Sequence, residues 1–170
     1  KEGLNKSSDF DSLVDEIHKR TKLPLALDGI YRWICFLPSR RNKKVPVANR
    51  YFGIFQSGEI KCRGIELRRH DTPVFIAELQ QEALNLLAHC PGDDDWQKYL
   101  GRVQALAARC MDDLRHGRIP PEQLVTRHTL SRALSEYKVP SPAAIAARQL
   151  EQAGKFLRPG QIVRFIYTLG

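Results

Sequence analysis

Apolar residues fall at helical spacing near the start of the chain. Phe10, Leu13, Val14 and Ile17 follow the i, i+3, i+4, i+7 rule, which predicts a helix over 10–21 with one apolar face and Asp9 as its cap. The pattern then changes to strand. Ile30 to Leu37 (IYRWICFL) is dense in aromatic and β-branched residues and stops at Pro38. Ser39 to Asn49 predicts a polar loop carrying Arg40, Arg41, Lys43 and Lys44. Tyr51 to Gln56 and Glu59 to Leu67 predict two strands joined through Ser57-Gly58, where glycine permits the turn. This hairpin is expected to carry Lys61, Arg63, Arg68 and Arg69.

Helical spacing returns at Thr72-Pro73, a capping hydroxyl followed by proline at the first helical position. Ile76, Leu79, Ala83, Leu86 and Leu87 form the buried stripe, and His89 to Gly92 breaks it. Asp93 to Asp95 place negative charge at the next helix N-terminus. Trp96, Leu100, Val103, Leu106, Ala107, Cys110 and Leu114 continue at the same spacing to Gly117. After Pro120-Pro121, Leu124 to Leu130 reads as extended. Pro142 to Ala153 reads as a helix closed by Gly154, and Gln161 to Leu169 alternates as a last strand. The expected fold class is therefore α+β. Residues 1–71 should form a helix with an antiparallel hairpin sheet, and residues 72–170 a mainly helical subdomain.

Charge narrows the partners. The 170 residues include 27 Lys or Arg against 19 Asp or Glu, a formal net charge of +8. Nucleic acid and anionic membrane are the usual partners of such an excess. No apolar run is long enough for a membrane-spanning helix, and no secretory signal pattern opens the chain. A cytoplasmic nucleic-acid partner, with no membrane, is the expectation. The chain opens on Lys1 and has its single methionine at Met111, so a piece of a longer protein is expected. Cys35, Cys62, Cys90 and Cys110 form no C-x-x-C pair and read mostly as small core hydrophobes.

No catalytic, cofactor or metal constellation stands out. Asp9-x-Asp11 and Asp93-Asp94-Asp95 precede apolar-periodic helices, where carboxylates are stabilised by unpaired N–H groups. No phosphate-loop, zinc-protease or nucleophile-elbow motif occurs. The basic cluster is different. Between Arg40 and Arg69 there are nine Lys or Arg and only two acids, Glu59 and Glu66. Trp33, Tyr51, Phe52 and Phe55 interleave with it and read as core before contact.

Three blocks resemble the C-terminal palm segment and thumb of family B DNA-directed DNA polymerases. The first is Arg50-Tyr51-Phe52-Gly53 with Arg63-Gly64-Ile65-Glu66 and Arg68-Arg69-His70-Asp71. The second runs from Leu130 through Arg132 and Leu134 to Tyr137-Lys138. The third comprises Pro142, Ala147, Leu150, Gly154, Arg158-Pro159-Gly160, Val163 and Phe165. There are departures: Ala48 and Asn49 stand where the family usually has two lysines, Ala143 where many members have histidine, and Phe165 where many have tyrosine.

The resemblance implies a palm remnant over 1–71 and a thumb over 72–170. It implies a parent that performs template-directed DNA synthesis with Mg²⁺ and deoxynucleoside triphosphates, its metal-binding aspartates lying upstream of this segment. The fragment would bind primer–template double-stranded DNA without polymerising. Its other partners would be the remaining palm, fingers and exonuclease domains of the parent. Expected DNA contacts are Arg50, Tyr51, Lys61, Arg63, Arg68 and Arg69 on the palm side, and Arg127, Arg132, Tyr137, Lys138 and Arg148 on the thumb side. Glu66 and Asp71 are expected to orient arginines, and Gly64 and Gly160 to turn the backbone. Two other readings are a stand-alone basic module binding nucleic acid without sequence preference, and a protein-interaction domain kept soluble by its charge.

Overall fold

Strand alternation in the first third of the chain produces one antiparallel sheet, in the order β1 (Tyr31–Pro38), β2 (Pro46–Phe55), β3 (Ile60–Arg63). The computed structural model describes residues 6–91 and 95–168. It divides into two units, Lys1–Ile65 and Glu66–Gly170.

In the first unit, α1 (Asp11–Thr21) forms as its spacing predicts but starts differently. Asp9 does not cap it. Ser7–Phe10 makes a 3-10 turn, and the Asp9 carboxylate accepts the Lys6 N–H at 2.8 Å. No residue of α1 is buried, and Leu13 and Ile17 are 50% and 36% exposed. β2 begins at Pro46, so the basic loop is shorter than expected. Asn42 reverses the chain: its side-chain oxygen accepts the Lys44 N–H at 3.0 Å and its carbonyl the Val45 N–H at 3.1 Å. Ser39 N–H then donates to the Val45 carbonyl at 2.8 Å and the ladder starts at once.

The sheet is packed by rings. Tyr31 stacks on Phe55 with centroids 4.4 Å apart, and Trp33 meets Phe52 edge-on at 5.9 Å. Gly53 makes this possible, because a Cβ there would lie 2.8 Å from the Trp33 carbonyl oxygen and 2.9 Å from the Tyr31 ring. β3 ends at Arg63, short of the predicted Leu67. Gly64 takes φ +65°, and a Cβ there would sit 2.1 Å from the Asn49 carbonyl oxygen. Only glycine fits this left-handed turn, so the strand stops and Glu66–Arg68 forms a 3-10 turn.

In the second unit, α2 (Val74–Ala88) packs against α3 (Trp96–Arg115). Pro73, not Thr72, takes the N-cap position of α2. The Thr72 hydroxyl donates instead to the Glu66 carbonyl at 2.7 Å. Gln80 reaches back from α2, accepting the Leu67 N–H at 2.7 Å and donating to the Glu66 carboxylate at 3.1 Å. Asp93 and Asp94 lie outside the described residues; Asp95 stands at the N-cap of α3 without a side-chain cap bond. Gly117, at φ +66°, closes α3: its N–H bonds the Leu114 carbonyl and Arg118 N–H the Asp113 carbonyl.

The rest of this unit is a small sandwich of ribbon on helix. β4 (Thr126–Thr129) pairs antiparallel with β5 (Ile162–Phe165). Both are shorter than predicted. α4 (Pro142–Gln152) starts where Ser141 Oγ accepts the Ala144 N–H at 3.2 Å, and closes through Gly154 at φ +78°. Ala143, Ala146 and Ala147 are buried with Leu130 and Val163. Their small side chains let the ribbon lie directly on the helix, while Leu134, Tyr137, Leu150, Leu157 and Phe165 seal the margin. Cys90 is buried; Cys35, Cys62 and Cys110 are only half-buried. Among the described residues no helix is long and apolar enough to cross a membrane.

Candidate nucleic-acid interface

The pairing of β2 with β3 sets Tyr51 opposite Arg63 and Gly53 opposite Lys61, so both cations share one sheet face with Tyr51. Tyr51 packs against Tyr31 (6.5 Å) and Phe36 (5.6 Å), which makes it part of the aromatic row. Burial first, then the hydrogen bond with Tyr51, pushes the Tyr31 phenol up to about 12. Lys61 is ion-paired with Asp28, whose hydrogen bond holds the ammonium above its usual range. Arg50 donates to the Gly64 carbonyl at 3.3 Å and so braces the turn that ends β3. Arg63 is exposed.

Arg68 and Arg69 are not on the hairpin. They belong to the turn before α2, in the second unit. Arg69 grips Asp71 with both ends of its fork, at 2.8 and 2.6 Å, and those bonds hold the Asp71 carboxyl below the usual carboxylate range. Asp71 thus orients an arginine as expected; Glu66 accepts from Gln80, and its charge also acts on Arg69. Arg69, His70 and Asp71 line an open groove of about 670 Å³ with Arg127, His128, Thr129 and Ile162.

The remaining residues gather around the ribbon and α4. The Arg132 guanidinium lies over the Tyr137 ring, 5.6 Å from its centroid. The Tyr137 oxygen accepts the Ser131 N–H at 3.2 Å and meets the Ser131 hydroxyl at 3.3 Å, which lowers the phenol's pKa. Lys138 is exposed. Arg148 is half-buried, and its guanidinium donates to the Tyr137 and Leu134 carbonyls at 3.4 and 3.5 Å. That bond tethers the 133–137 segment to α4; Arg148 also lines a second groove, of about 620 Å³, with Glu151 and Arg158.

Five of the expected contacts, Arg63, Arg68, Arg127, Arg132 and Lys138, are exposed and enter no ion pair among the described residues. Sequence reasoning missed Arg164, which stands directly across the ladder from Arg127. The alternation of Gln161 to Leu169 contained that signal, since Val163 inward requires Arg164 outward. No three His, Cys, Asp or Glu side chains among the described residues form a group that could hold a metal ion.

Residues 11–170 match the sequence profile of DNA polymerase family B. The chain belongs to that family. Over 153 residues it is 29% identical to a DNA polymerase of Thermococcus kodakarensis, covering 88% of this chain and 8% of that relative. DNA polymerase 1 of Sulfurisphaera ohwakuensis is 26% identical over 158 residues, 92% of this chain and 17% of the relative. The fold is similar to the family B DNA polymerase of Pyrobaculum calidifontis, with a TM-score of 0.62 at 21% identity over 97% of this chain and 20% of that one. This family B chain therefore spans 8% to 17% of the length of these two curated relatives. Its mixed helices and antiparallel sheets are the α+β class expected from sequence.

Proposed function

We propose that this chain is the C-terminal palm segment and thumb of a DNA-directed DNA polymerase, and that it grips the primer–template duplex. The chemistry would be supplied by other segments of the parent, whose carboxylates would hold Mg²⁺. The observation that carries this reading is the set of exposed cations without ion pairs in a chain of formal net charge +8. A polymerase must hold any sequence, and phosphate contacts position a duplex without reading its bases. Holding the primer end in attack geometry is itself catalytic, because misplacement is costly. Arg63 with Lys61 and Arg50 forms the palm side; Arg68, Arg69, Arg127, Arg132 and Lys138 form the thumb side. Arg148 and Tyr137 act there mainly through the loop they hold, and Tyr51 through the aromatic row. The uncovered face of α1 and of the sheet at Ile34 and Phe36 is where the remaining palm, fingers and exonuclease segments pack.

A duplex titration over a range of salt tests the reading. Non-specific binding with a Kd on the order of 10⁻⁴ to 10⁻⁶ M at physiological salt is expected, weakening steeply as salt rises. Arg68→Ala with Arg69→Ala should weaken every duplex sequence alike and flatten the salt slope. Absence of salt-dependent binding at low ionic strength, or a loss confined to some sequences, overturns it.

A further inference from the structure

One feature of the ribbon is unfavourable unless an anion is present. Arg127 and Arg164 stand directly opposite each other in the β4–β5 ladder. Val163 is 0% exposed in the core under the ribbon, so the alternation turns Ile162 and Arg164 to solvent along with their partners Thr129 and Arg127. Both arginines are exposed. Like charges facing each other across two strands repel. Neither arginine enters an ion pair among the described residues. Two carboxylates line the same grooves: Asp71 is held by Arg69, and Glu122, in the neighbouring groove of about 480 Å³, pairs with neither arginine. Both arginines line that groove, and Arg127 also lines the one shared with Arg69 and His70, so the two grooves adjoin at Arg127.

We propose that Arg127 and Arg164 converge on one phosphate of a nucleic-acid backbone, which takes the place of the missing counter-charge. This rests on the duplex-gripping reading above and adds to it a specific site and a second arginine. Directly opposed Cα atoms in an antiparallel pair are about 4.5–5.5 Å apart, close enough for two guanidinium forks to meet a single phosphate. The fork matches phosphate oxygens in a planar, bidentate way that an ammonium does not. On one side the groove continues past the Arg69–Asp71 pair and His70, and Ile162 and Thr129 complete its lining.

The test uses the whole chain with Arg127→Ala, Arg164→Ala, the double variant, Arg164→Lys, and Arg102→Ala on α3 as a control for lost charge alone. Duplex affinity is measured over a range of salt, with circular dichroism as the check on folding. Each alanine variant should bind about tenfold more weakly at low salt, the double variant little worse than either, with the slope of log K against log salt reduced by about 0.9 in total. Arg164→Lys should fall between wild type and Arg164→Ala, because it keeps the charge and loses the fork. A reduction of about twice that slope in the double variant would mean two separate phosphates and overturn the shared clamp. Singles that behave like Arg102→Ala would overturn the site while leaving the duplex reading intact. Displacement of duplex from wild type by inorganic pyrophosphate at matched ionic strength, with the alanine variants insensitive to it, would assign the pair to a free phosphate ligand instead. Failure of the wild type to bind duplex at all would sink both readings. Removing either arginine relieves repulsion, so loss of folded signal in Arg164→Ala without phosphate would also count against the pair.

Discussion

The two units solve the problem of burial differently. The second buries alanines, Leu130 and Val163 between a ribbon and a helix, and closes its helix ends with Ser141, Gly117 and Gly154. The first relies on a sheet laced by aromatic rings, and it leaves α1 with no buried residue and Ile34 and Phe36 at 37% and 45% exposed. Small side chains in a tight layer give the second unit a closed core, although Val139, Phe156 and Tyr167 around it stay 76%, 72% and 67% exposed. Large rings on a three-stranded sheet produce a unit whose faces ask for another layer.

The sharpest way to break this contrast is to remove the centre of the second unit. Leu130 is 1% exposed and lies among Ala143, Ala146, Ala147 and Val163, which cannot rearrange to fill a hole. Leu130→Ala should cost about 2–5 kcal/mol, the range for truncating a packed core leucine. Amide exchange along β4 and β5 measures it, and protection there should collapse before protection in β2. A cost under about 1 kcal/mol would mean the ribbon is not anchored by this core.

The same contrast explains what the sequence disclosed. Runs such as IYRWICFL and the alanine-rich stretch after Ser141 were legible because burial alone selects those residues. The start of β2 was not, because Pro46, Ala48 and Asn49 read as loop; Pro46 joins the strand by pairing with Pro38, and the register is irregular from there to Tyr51, which pairs with Phe36. The placement of Arg68 and Arg69 on the hairpin went wrong at one residue. Apolar residues fall at Ile60 and Cys62 and then at Ile65 and Leu67, so the alternation slips phase at Gly64, where the chain turns. A lone glycine inside a strand pattern was the available warning. Thr72 reads as a cap by composition; the Glu66 carbonyl, brought near by that same turn, takes its hydroxyl instead. Arg127 could be singled out from the sequence, whereas its partnership with Arg164 is a matter of register between segments far apart in the chain.

A second, smaller test probes the first unit from its open side. Leu13 is 50% exposed on α1. Leu13→Gln keeps helix propensity and should change stability by no more than about 0.5 kcal/mol, as for a surface position. Chemical denaturation measures it, and the unchanged m-value should show that no buried surface was lost. A loss above about 1 kcal/mol would mean that the α1 stripe is covered in solution, and the contrast between the units would weaken.

The smallest effect distinguishes the units by sign. Tyr31 in the first unit has its phenol raised to about 12 by burial and by its bond to Tyr51. Tyr137 in the second is lowered, because the Ser131 groups hydrogen-bond its oxygen and favour the ionised form. A raised folded value means that the stability Tyr31 contributes is complete below the unfolded phenol's pKa, about 10, and is lost as pH climbs from there towards about 12. A lowered value works the other way, so the contribution of Tyr137 grows as pH rises through its folded pKa and is complete above the unfolded one. Tyrosinate absorbance during an alkaline titration should therefore rise first from Tyr137 and last from Tyr31. Tyr137→Phe should delete the early part of the curve and Tyr31→Phe the late part, and Tyr31→Phe should also blunt the alkaline loss of stability in the first unit. If Tyr31→Phe instead removes the early part, the ring lies open to water, and the stacked row of Phe55, Tyr31 and Tyr51 is not what holds that sheet together.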